Sequence, residues 1–159
     1  MNDFSHLDKG GNPLMVDTSE KKVSKRSATA RSIVVLPAEV LDKMTNGDIQ
    51  TKKGAVFQTA ILAGIMAAKK TGELIPLCHP LSLEVCHINI ELNEINEAVI
   101  ICTTAIEAKT GVEMEALVGA SVAALTVYDM CKALSHDIII KETRLMKKTG
   151  GKKDFERKG

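Results

Sequence analysis

Aromatic residues are scarce in this chain of 159 residues, which has no tryptophan, one tyrosine and three phenylalanines. Protein modules that recognise single-stranded nucleic acid usually stack its bases on aromatic side chains. The formal net charge is only +1, so the chain as a whole is not a polycation that would coat nucleic acid or an anionic membrane. We therefore expect no nucleic acid among its partners, and any anion binding must come from local basic clusters.

A long uncharged apolar run and a secretory signal are also absent. No apolar run reaches about 18 residues without a charge, so we expect no segment to span a membrane. The opening residues, Met1 to His6, lack the charged and then apolar pattern of a signal peptide. The chain has four cysteines, and we expect free thiols in a reducing cytosol, although a secreted protein could pair them in two bridges. They are Cys78, Cys86, Cys102 and Cys131.

The length and composition predict a single domain spanning residues 1–159. With 45% hydrophobic and 26% charged residues, the chain can form a sizeable core and stay soluble. A domain of this size buries roughly 70% of the surface that its unfolded chain exposes, so it needs no disulfide. Gly10-Gly11-Asn12-Pro13 predicts an irregular N-terminal arm over residues 1–20. The Gly- and Lys-rich segment 147–159 predicts a basic tail, and we expect both ends to be mobile.

The hydrophobic pattern predicts the order strand, helix, strand, strand, helix, strand. This order is typical of a ferredoxin-like α+β fold, in which helices pack on one face of an antiparallel sheet. The second long helix is apolar on almost all sides, which one small sheet cannot cover, so we expect more than one subunit. The strands are expected at 26–36, 81–92, 98–106 and 138–140, and the helices at 38–43, 55–70 and 112–134.

The predicted strand 81–92 changes its apolar phase midway. Leu81, Leu83 and Val85 alternate in one phase, and the later apolar residues 88, 90 and 92 alternate in the other. An extra residue in the strand would shift the phase in this way, so the pattern predicts a β-bulge near Cys86 and His87.

Asp129 and Lys132 are the first candidates for catalytic or phosphate-binding residues. Three residues apart on a helix, they share a face and can touch. A surface ion pair is the plainer interpretation. They interrupt the otherwise apolar stretch 125–134, however, and a partly desolvated carboxylate and ammonium are suited to proton transfer or phosphate binding.

Glu113 and Glu115 open the same predicted helix, where carboxylates interact favourably with the helix dipole. Glu115 and Asp129 are fourteen residues apart, which is about 21 Å of helix rise. If both act on one substrate, either the substrate is long or the site combines two subunits.

His79 lies in a loop between two rigid prolines, Pro76 and Pro80, so it is a candidate general acid or base as well as a structural residue. Its neighbour Cys78 and the later Cys86-His87 could suggest a zinc site. An extended segment of eight residues spans roughly 26 Å, however, whereas zinc ligands lie about 2.0–2.3 Å from one ion. We therefore expect no metal site, and nothing in the sequence indicates a cofactor.

Two basic segments could bind phosphate groups. Lys52-Lys53-Gly54 comes just before the first long helix, whose N-terminal amides favour an anion. Residues 147–153, Lys-Lys-Thr-Gly-Gly-Lys-Lys, form a Gly-rich basic stretch. Neither contains the Gly-x-x-x-x-Gly-Lys-Ser/Thr phosphate loop, and charged segments of this kind are often simply solvated.

Five blocks of unusual sequence are spread over most of the chain. They are Met15-Val16-Asp17, Lys53-Gly54-x-Val56-Phe57, residues 74–81 (Leu-Ile-Pro-Leu-Cys-His-Pro-Leu), residues 109–117 (Lys-Thr-Gly-Val-Glu-Met-Glu-Ala-Leu) and residues 128–133 (Tyr-Asp-Met-Cys-Lys-Ala). Together they resemble the MoaC family, the cyclic pyranopterin monophosphate synthases of molybdenum-cofactor biosynthesis. The resemblance runs in order from about Met15 to Asp154.

The resemblance implies a cytoplasmic lyase with a ferredoxin-like subunit. It implies a hexamer built as a trimer of dimers, with the active sites at a subunit interface. The implied small-molecule substrate is (8S)-3′,8-cyclo-7,8-dihydroguanosine 5′-triphosphate, and the products are cyclic pyranopterin monophosphate and pyrophosphate. The family's tail often has Gly-Gly-Lys-Ser-Gly-Asp where this chain has Gly-Gly-Lys-Lys-Asp at 150–154, so no definite role follows for Lys152.

Asp129 and Lys132 match the family's catalytic aspartate and lysine, and we expect them to transfer protons. We expect His79 and Glu115 to position the base of the substrate, and the basic residues to hold its triphosphate. The substrate-binding residues expected on this basis are Arg26, Lys53, Leu77, Cys78, His79, Glu113, Met114, Glu115 and Lys148.

Two alternatives come from other functional classes. A nucleotide-binding regulatory domain of the same fold would use the same lysines and release the nucleotide unchanged, without needing Asp129 and Lys132 as a pair. Product formation separates this alternative from the enzyme. An RNA-binding domain should present aromatic residues on its sheet, and the two predicted central strands, 81–92 and 98–106, contain none.

Overall fold

The structure, a computed structural model, describes residues 5–159. Its elements, in chain order, are β1 (Ser24–Val35), α1 (Ala38–Leu41), β2 (Met44–Thr45), β3 (Asp48–Thr51), β4 (Gly54–Ala55), α2 (Val56–Ala68), α3 (Thr71–Leu74), β5 (Val85–Leu92), β6 (Glu97–Ala108), α4 (Glu113–Cys131), β7 (Ile139–Thr149) and β8 (Phe155–Glu156).

Four long antiparallel strands and two long helices follow the predicted order. β1 pairs with β6 on one side and with β7 on the other, while β5 pairs with the far side of β6. The sheet order is therefore β5-β6-β1-β7, extended by the short β8. Alternate residues of β1 and β6 are buried, and α2 and α4 pack on the sheet and on each other. The predicted ferredoxin-like α+β fold is confirmed.

Two glycines allow α2 and α4 to pack closely. A Cβ atom on Gly64 would lie 2.7 Å from the main-chain oxygen of Gly119 and 2.5 Å from Cδ1 of Ile88. A Cβ atom on Gly119 would lie 2.7 Å from Sγ of Cys102. Protein interiors are close-packed, so a side chain at either position would push the helices apart. This crossing sets where α4, which carries Glu113, Met114, Glu115 and Asp129, lies on the sheet.

A buried carboxylate caps α2 from outside the helix. The N-cap residue, Ala55, has no capping side chain. Instead, Oδ1 of Asp48 accepts hydrogen bonds from the main-chain N–H groups of Ile49 (2.6 Å) and Phe57 (2.7 Å), and Oδ2 accepts one from Gln58 (3.1 Å). Two of the amides that every helix start leaves unpaired are thus satisfied. Because Asp48 lies on β3, these bonds also fix the β3–β4 turn that carries Lys53.

The structure corrects the prediction for the strand at 81–92. β5 begins at Val85, so Leu81 and Leu83 precede the strand and set no phase within it. The pairing of β5 with β6 keeps a single register throughout, and the predicted bulge at Cys86 and His87 is wrong. The register shifts lie between β1 and β7 instead.

The last long strand is also longer than predicted, since β7 runs from Ile139 to Thr149 rather than over 138–140. Residues 147–149, which we assigned to the basic tail, pair with β1, and Lys147 and Lys148 also pair with β8. β7 is rich in charged residues and none of its residues is fully buried. The apolar pattern of the sequence could therefore predict only the beginning of β7.

The N-terminal arm is irregular in its described part, as predicted. Residues 5–23 form no helix, and their one β-bridge joins Leu7 and Pro13. The first four residues of the predicted arm lie outside the described residues. Among residues 5–159, α4 is the one helix with the length and hydropathy of a membrane-spanning segment, and half of its apolar window is buried in the subunit, as in a core helix.

Candidate active site

A cleft of about 1100 Å³ opens at the N-terminal end of α4. The loop before β5, made rigid by its prolines, forms one wall. The first turn of α4 forms another, and the N-terminal arm crosses the third side. The lining residues include Leu77, Cys78 and His79 from the loop, Glu113, Met114 and Glu115 from α4, and Val16, Thr18 and Lys21 from the arm.

Glu115 is a buried carboxyl group in the cleft, with 4% of its surface exposed. Burial raises the pKa of this carboxyl, and the nearby charge of Glu113 raises it further, while a backbone hydrogen bond and the proximity of His79 act in the opposite direction. A carboxyl group with a raised pKa binds a proton more readily than an exposed one. Glu115 can therefore donate or accept a proton at the wall of the cleft.

Cys78 lies close to Glu115 and remains a neutral thiol. Burial raises the pKa of its thiol, and the charge of Glu115 adds to the effect. Because the thiolate is the nucleophilic form, this environment suits Cys78 to contact a substrate rather than to attack one.

His79 is held by the main chain of the N-terminal arm. Its Nε2 atom lies 2.6 Å from the carbonyl oxygen of Val16, 63 residues earlier in the chain. A carbonyl oxygen can only accept a hydrogen bond, so Nε2 carries the proton.

Two cations border the cleft from neighbouring strands. Nζ of Lys148, on β7, lies 3.3 Å from Oε1 of Glu113. Nη2 of Arg26, on β1, donates to the carbonyl oxygen of Lys109 at 3.4 Å. The Nε atom of Arg26 is buried and has no hydrogen-bond partner among the described residues. Lys148 thus places positive charge beside Glu113, at the start of α4.

A second cluster lies at the other end of α4. Nζ of Lys132 lies 2.7 Å from Oδ1 of Asp129, and Nζ of Lys53 lies 3.5 Å from Oδ2 of the same carboxylate. The hydrogen bond and charge of Lys132, and then the charge of Lys53, lower the pKa of Asp129. The same hydrogen bond to Asp129 raises the pKa of Lys132. Two ammonium groups thus share one carboxylate, which leaves the cluster net positive and suited to phosphate.

The Asp129 cluster is more open than its apolar sequence context suggested. The side chains of Asp129, Lys132 and Lys53 are 57%, 53% and 56% exposed. The partial desolvation that we expected therefore does not occur within this subunit. α4 ends at Cys131, which puts Lys132 at its C-cap rather than inside the helix that we predicted over 112–134.

The structure thus divides the predicted site residues between two clusters. The cleft brings together Leu77, Cys78, His79, Glu113, Met114 and Glu115, with Lys148 and Arg26 at its border, and the second cluster contains Lys53, Asp129 and Lys132. Glu115 and Asp129 lie near opposite ends of α4, about 21 Å of helix rise apart.

Several residues that line the cleft were not predicted from the sequence, among them Val16, Thr18 and Lys21. Val16 belongs to the block Met15-Val16-Asp17, which was a usable signal. No local pattern marks Lys21 as a site residue, because lysines in an irregular segment, such as Lys21 and Lys22, are usually solvated.

Free thiols, as expected, are found at all four cysteines, which lie within the described part of the chain. Within residues 5–159, no group of three or more His, Cys, Asp or Glu side chains lies close enough together to hold a metal ion.

A cleft that holds a buried carboxyl group with a raised pKa is typical of a site for a small molecule. The chain belongs to the MoaC family, whose family model matches residues 15–151. This confirms the resemblance found in the five sequence blocks.

Three relatives illustrate the match. The chain is 52% identical over 152 residues to the cyclic pyranopterin monophosphate synthase of Xanthomonas campestris pv. campestris, covering 96% of this chain and 92% of the relative. It is 48% identical over 155 residues to the protein of that name from Lysinibacillus sphaericus, covering 96% of both. Molybdenum cofactor biosynthesis protein 1 of Dictyostelium discoideum is 47% identical over 168 residues, which cover 95% of this chain and 27% of the relative.

Proposed function

We propose that this protein is a cyclic pyranopterin monophosphate synthase, a lyase of molybdenum-cofactor biosynthesis. It converts (8S)-3′,8-cyclo-7,8-dihydroguanosine 5′-triphosphate to cyclic pyranopterin monophosphate and pyrophosphate. The observation that carries this proposal is the 52% identity, over 96% of the chain, to a relative with that name. The geometry adds support, because the chain presents both acid–base groups and cations suited to a triphosphate.

The Asp129 cluster performs proton transfer during the reaction. Closing the cyclic phosphate joins a hydroxyl oxygen of the substrate to the α-phosphorus and breaks the bond from that phosphorus to pyrophosphate. The hydroxyl proton needs an acceptor, and the departing pyrophosphate needs positive charge. The hydrogen bond and charge of Lys132, with the charge of Lys53, lower the pKa of Asp129 and keep it in the ionised form, which can accept a proton. The hydrogen bond to Asp129 raises the pKa of Lys132 and keeps it in the protonated form, which can donate one. Binding of the lysines to the phosphates loosens this pairing, which makes Asp129 a stronger base and Lys132 a stronger acid.

The cleft binds the base end of the substrate. Leu77, Cys78 and Met114 provide uncharged contacts, while His79 and Glu115 bind and position the polar edge of the ring. Lys53, Lys148 and Arg26 hold the phosphates, since a triphosphate requires several converging cations.

One active site combines the cleft of one subunit with the Asp129 cluster of another. Within a chain, about 21 Å of helix rise separates Glu115 from Asp129, which is too far for both to act on one reacting ring. An interface is also supported by Leu62 and Met66 on α2 and Leu125 on α4, which are at least half exposed. The resemblance to the family supports a hexamer arranged as a trimer of dimers.

The remaining proposals concern the chain as a whole. Residues 1–159 form a single domain, which is supported by the uninterrupted match of the family model to residues 15–151. The protein works in the cytoplasm, which is supported by its four free thiols.

The experiment that tests the activity is a product assay on the purified protein. The cyclised guanosine triphosphate is supplied, and both pyrophosphate and cyclic pyranopterin monophosphate are quantified, with Asp129→Ala as the control variant. We expect both products from the wild type and neither from the variant. Binding of the nucleotide without release of pyrophosphate would contradict the proposal and favour a regulatory nucleotide-binding domain.

A further inference from the structure

The hydrogen bond between His79 and Val16 joins two parts of the chain that the sequence keeps far apart. Nε2 of His79 donates to the carbonyl oxygen of Val16 at 2.6 Å. The donated proton fixes the neutral ring as the Nε2–H tautomer. Nδ1 is then the remaining polar atom of the ring, and in the neutral ring it can only accept a hydrogen bond.

The segment around Val16 is itself a wall of the cleft. The cleft has one wall from the loop before β5, one from α4 and a third from the arm. The arm contributes Pro13, Val16, Thr18 and Lys21 to this third wall. The arm has a second attachment, because Nζ of Lys109 donates to the carbonyl oxygen of Ser19 at 3.0 Å. The cleft thus depends on two side chains that tie the arm to the body of the subunit.

The arm also has internal order near this attachment. The N–H of Leu14 donates to the carbonyl oxygen of His6 at 2.8 Å. Oδ1 of Asp8 accepts hydrogen bonds of 2.8 Å from the N–H groups of Gly10 and Asn12. A turn organised in this way presents the Val16 carbonyl in a defined position.

We propose that the N-terminal arm is a working part of the active site, in which the main-chain carbonyl of Val16 positions His79. It holds the ring as the Nε2–H tautomer, so that Nδ1 accepts a hydrogen bond from an N–H or O–H group at the base end of the substrate. This role of Nδ1 rests on the proposed function, whereas the anchoring of the arm does not. Val16 acts through His79 and is a positioning residue, and His79 in turn keeps the arm over the cleft.

Two amide substitutions separate the two nitrogen atoms of the ring. In His79→Gln, the side-chain amide can reach the place of Nε2 and still donate to Val16, but nothing replaces Nδ1. In His79→Asn, the shorter side chain places its amide near the position of Nδ1 and does not reach Val16. His87→Gln is the matched control, because His87 is exposed on β5 and outside the candidate site.

Hydrogen exchange of the arm's amides, measured on the full chain without substrate, tests the anchoring. We expect the hydrogen-bonded amides on either side of Val16, those of Leu14, Ser19 and Lys21, to exchange up to about tenfold faster in His79→Asn than in the wild type, as the loss of one hydrogen bond allows. His79→Gln and His87→Gln should stay within about twofold of the wild type. Unchanged exchange in His79→Asn would overturn the proposal.

The tautomer is tested by nitrogen NMR of histidine-labelled protein, with the His79 signals assigned by their loss in His79→Gln. At a pH where the ring is neutral, we expect a protonated Nε2 and an unprotonated Nδ1 in the wild type, and a neutral ring protonated at Nδ1 instead would overturn the proposal. In the product assay, His79→Gln should mainly lower kcat, while His79→Asn, with its released arm, should also raise KM. If wild-type protein forms no product although exchange and tautomer are as expected, the proposed function fails and the anchoring stands.

Discussion

Nζ of Lys132 lies 2.7 Å from Oδ1 of Asp129, one helical turn earlier, and each side chain is more than half exposed. Exposed ion pairs contribute little to folding stability, because water screens the charges and the side chains lose entropy. The pair therefore has little structural value in the single subunit. In the proposed mechanism, its value lies in placing a proton acceptor and a proton donor side by side.

Replacement of Asp129 by asparagine should abolish most turnover while leaving the fold intact. The amide keeps the size of the side chain but cannot accept a proton, and general base catalysis contributes about 10²–10⁴-fold. We expect kcat to fall by that factor and the urea midpoint to stay close to that of the wild type. Asp137→Asn, which changes an exposed aspartate in the loop between α4 and β7, serves as the control. Normal turnover by Asp129→Asn would remove Asp129 from the proposed mechanism.

The buried carboxyl of Glu115 should make stability depend on pH. Its pKa in the folded chain is raised above the ordinary value of 4.5, mainly by burial. Between these two values the folded chain binds more protons than the unfolded chain, so its stability falls as the pH rises through that window. Below pH 4.5 the Glu115 carboxyl is protonated in both the folded and the unfolded chain, and its stabilising contribution is fully present.

Glu115→Gln removes this titration. We expect the stability of the variant, relative to the wild type, to increase as the pH rises from 4.5 through the raised pKa and then to level off. Urea unfolding across this pH range measures the difference. Glu73→Gln, which changes an exposed carboxyl on α3, provides the control. Parallel stability curves for Glu115→Gln and the wild type would contradict the raised pKa of Glu115.

Asp48 should stabilise the fold more than any exposed aspartate. Asp48→Ala leaves the N–H groups of Ile49, Phe57 and Gln58 without their acceptor, two of them at the start of α2. Loss of a helix cap together with a buried unpaired amide should lower the free energy of unfolding by about 2–3 kcal/mol. Urea denaturation provides the measurement. The control, Asp42→Ala at an exposed position, should change the free energy of unfolding by less than about 0.5 kcal/mol. An equally small change for Asp48→Ala would refute the capping role of Asp48.

Periodicity sufficed to predict the main elements of the fold. The strands β1 and β6 and the helices α2 and α4 each bury a regular set of apolar residues, so their order was visible in the sequence. β7 was not visible beyond its first residues, because charged side chains fill much of the rest and none of its residues is fully buried. The bulge at Cys86 and His87 was wrong because Leu81 and Leu83 lie in a loop, where alternation has no structural meaning.

Contacts between distant parts of the chain could not be predicted from local patterns. Glycine, asparagine and proline marked the N-terminal arm as irregular, yet nothing local indicates that its Val16 carbonyl meets His79. Nothing local indicates either that Asp48 caps a helix that begins eight residues later. The family's sequence blocks identified residues of both clusters, and the rise of the predicted helix already separated Glu115 from Asp129 by about 21 Å.

We propose that one active site is built from the cleft of one subunit and the Asp129 cluster of another. The most direct test mixes two variants, Asp129→Asn and Glu115→Gln, each with little activity alone, after their subunits have been dissociated and reassembled together. Random reassembly makes about half of the dimers hybrids of the two variants. Each hybrid has two sites, of which one is intact and the other carries both substitutions. Pyrophosphate release should therefore recover to about a quarter of the wild-type rate. A mixture that stays as inactive as its separate components would contradict the shared site.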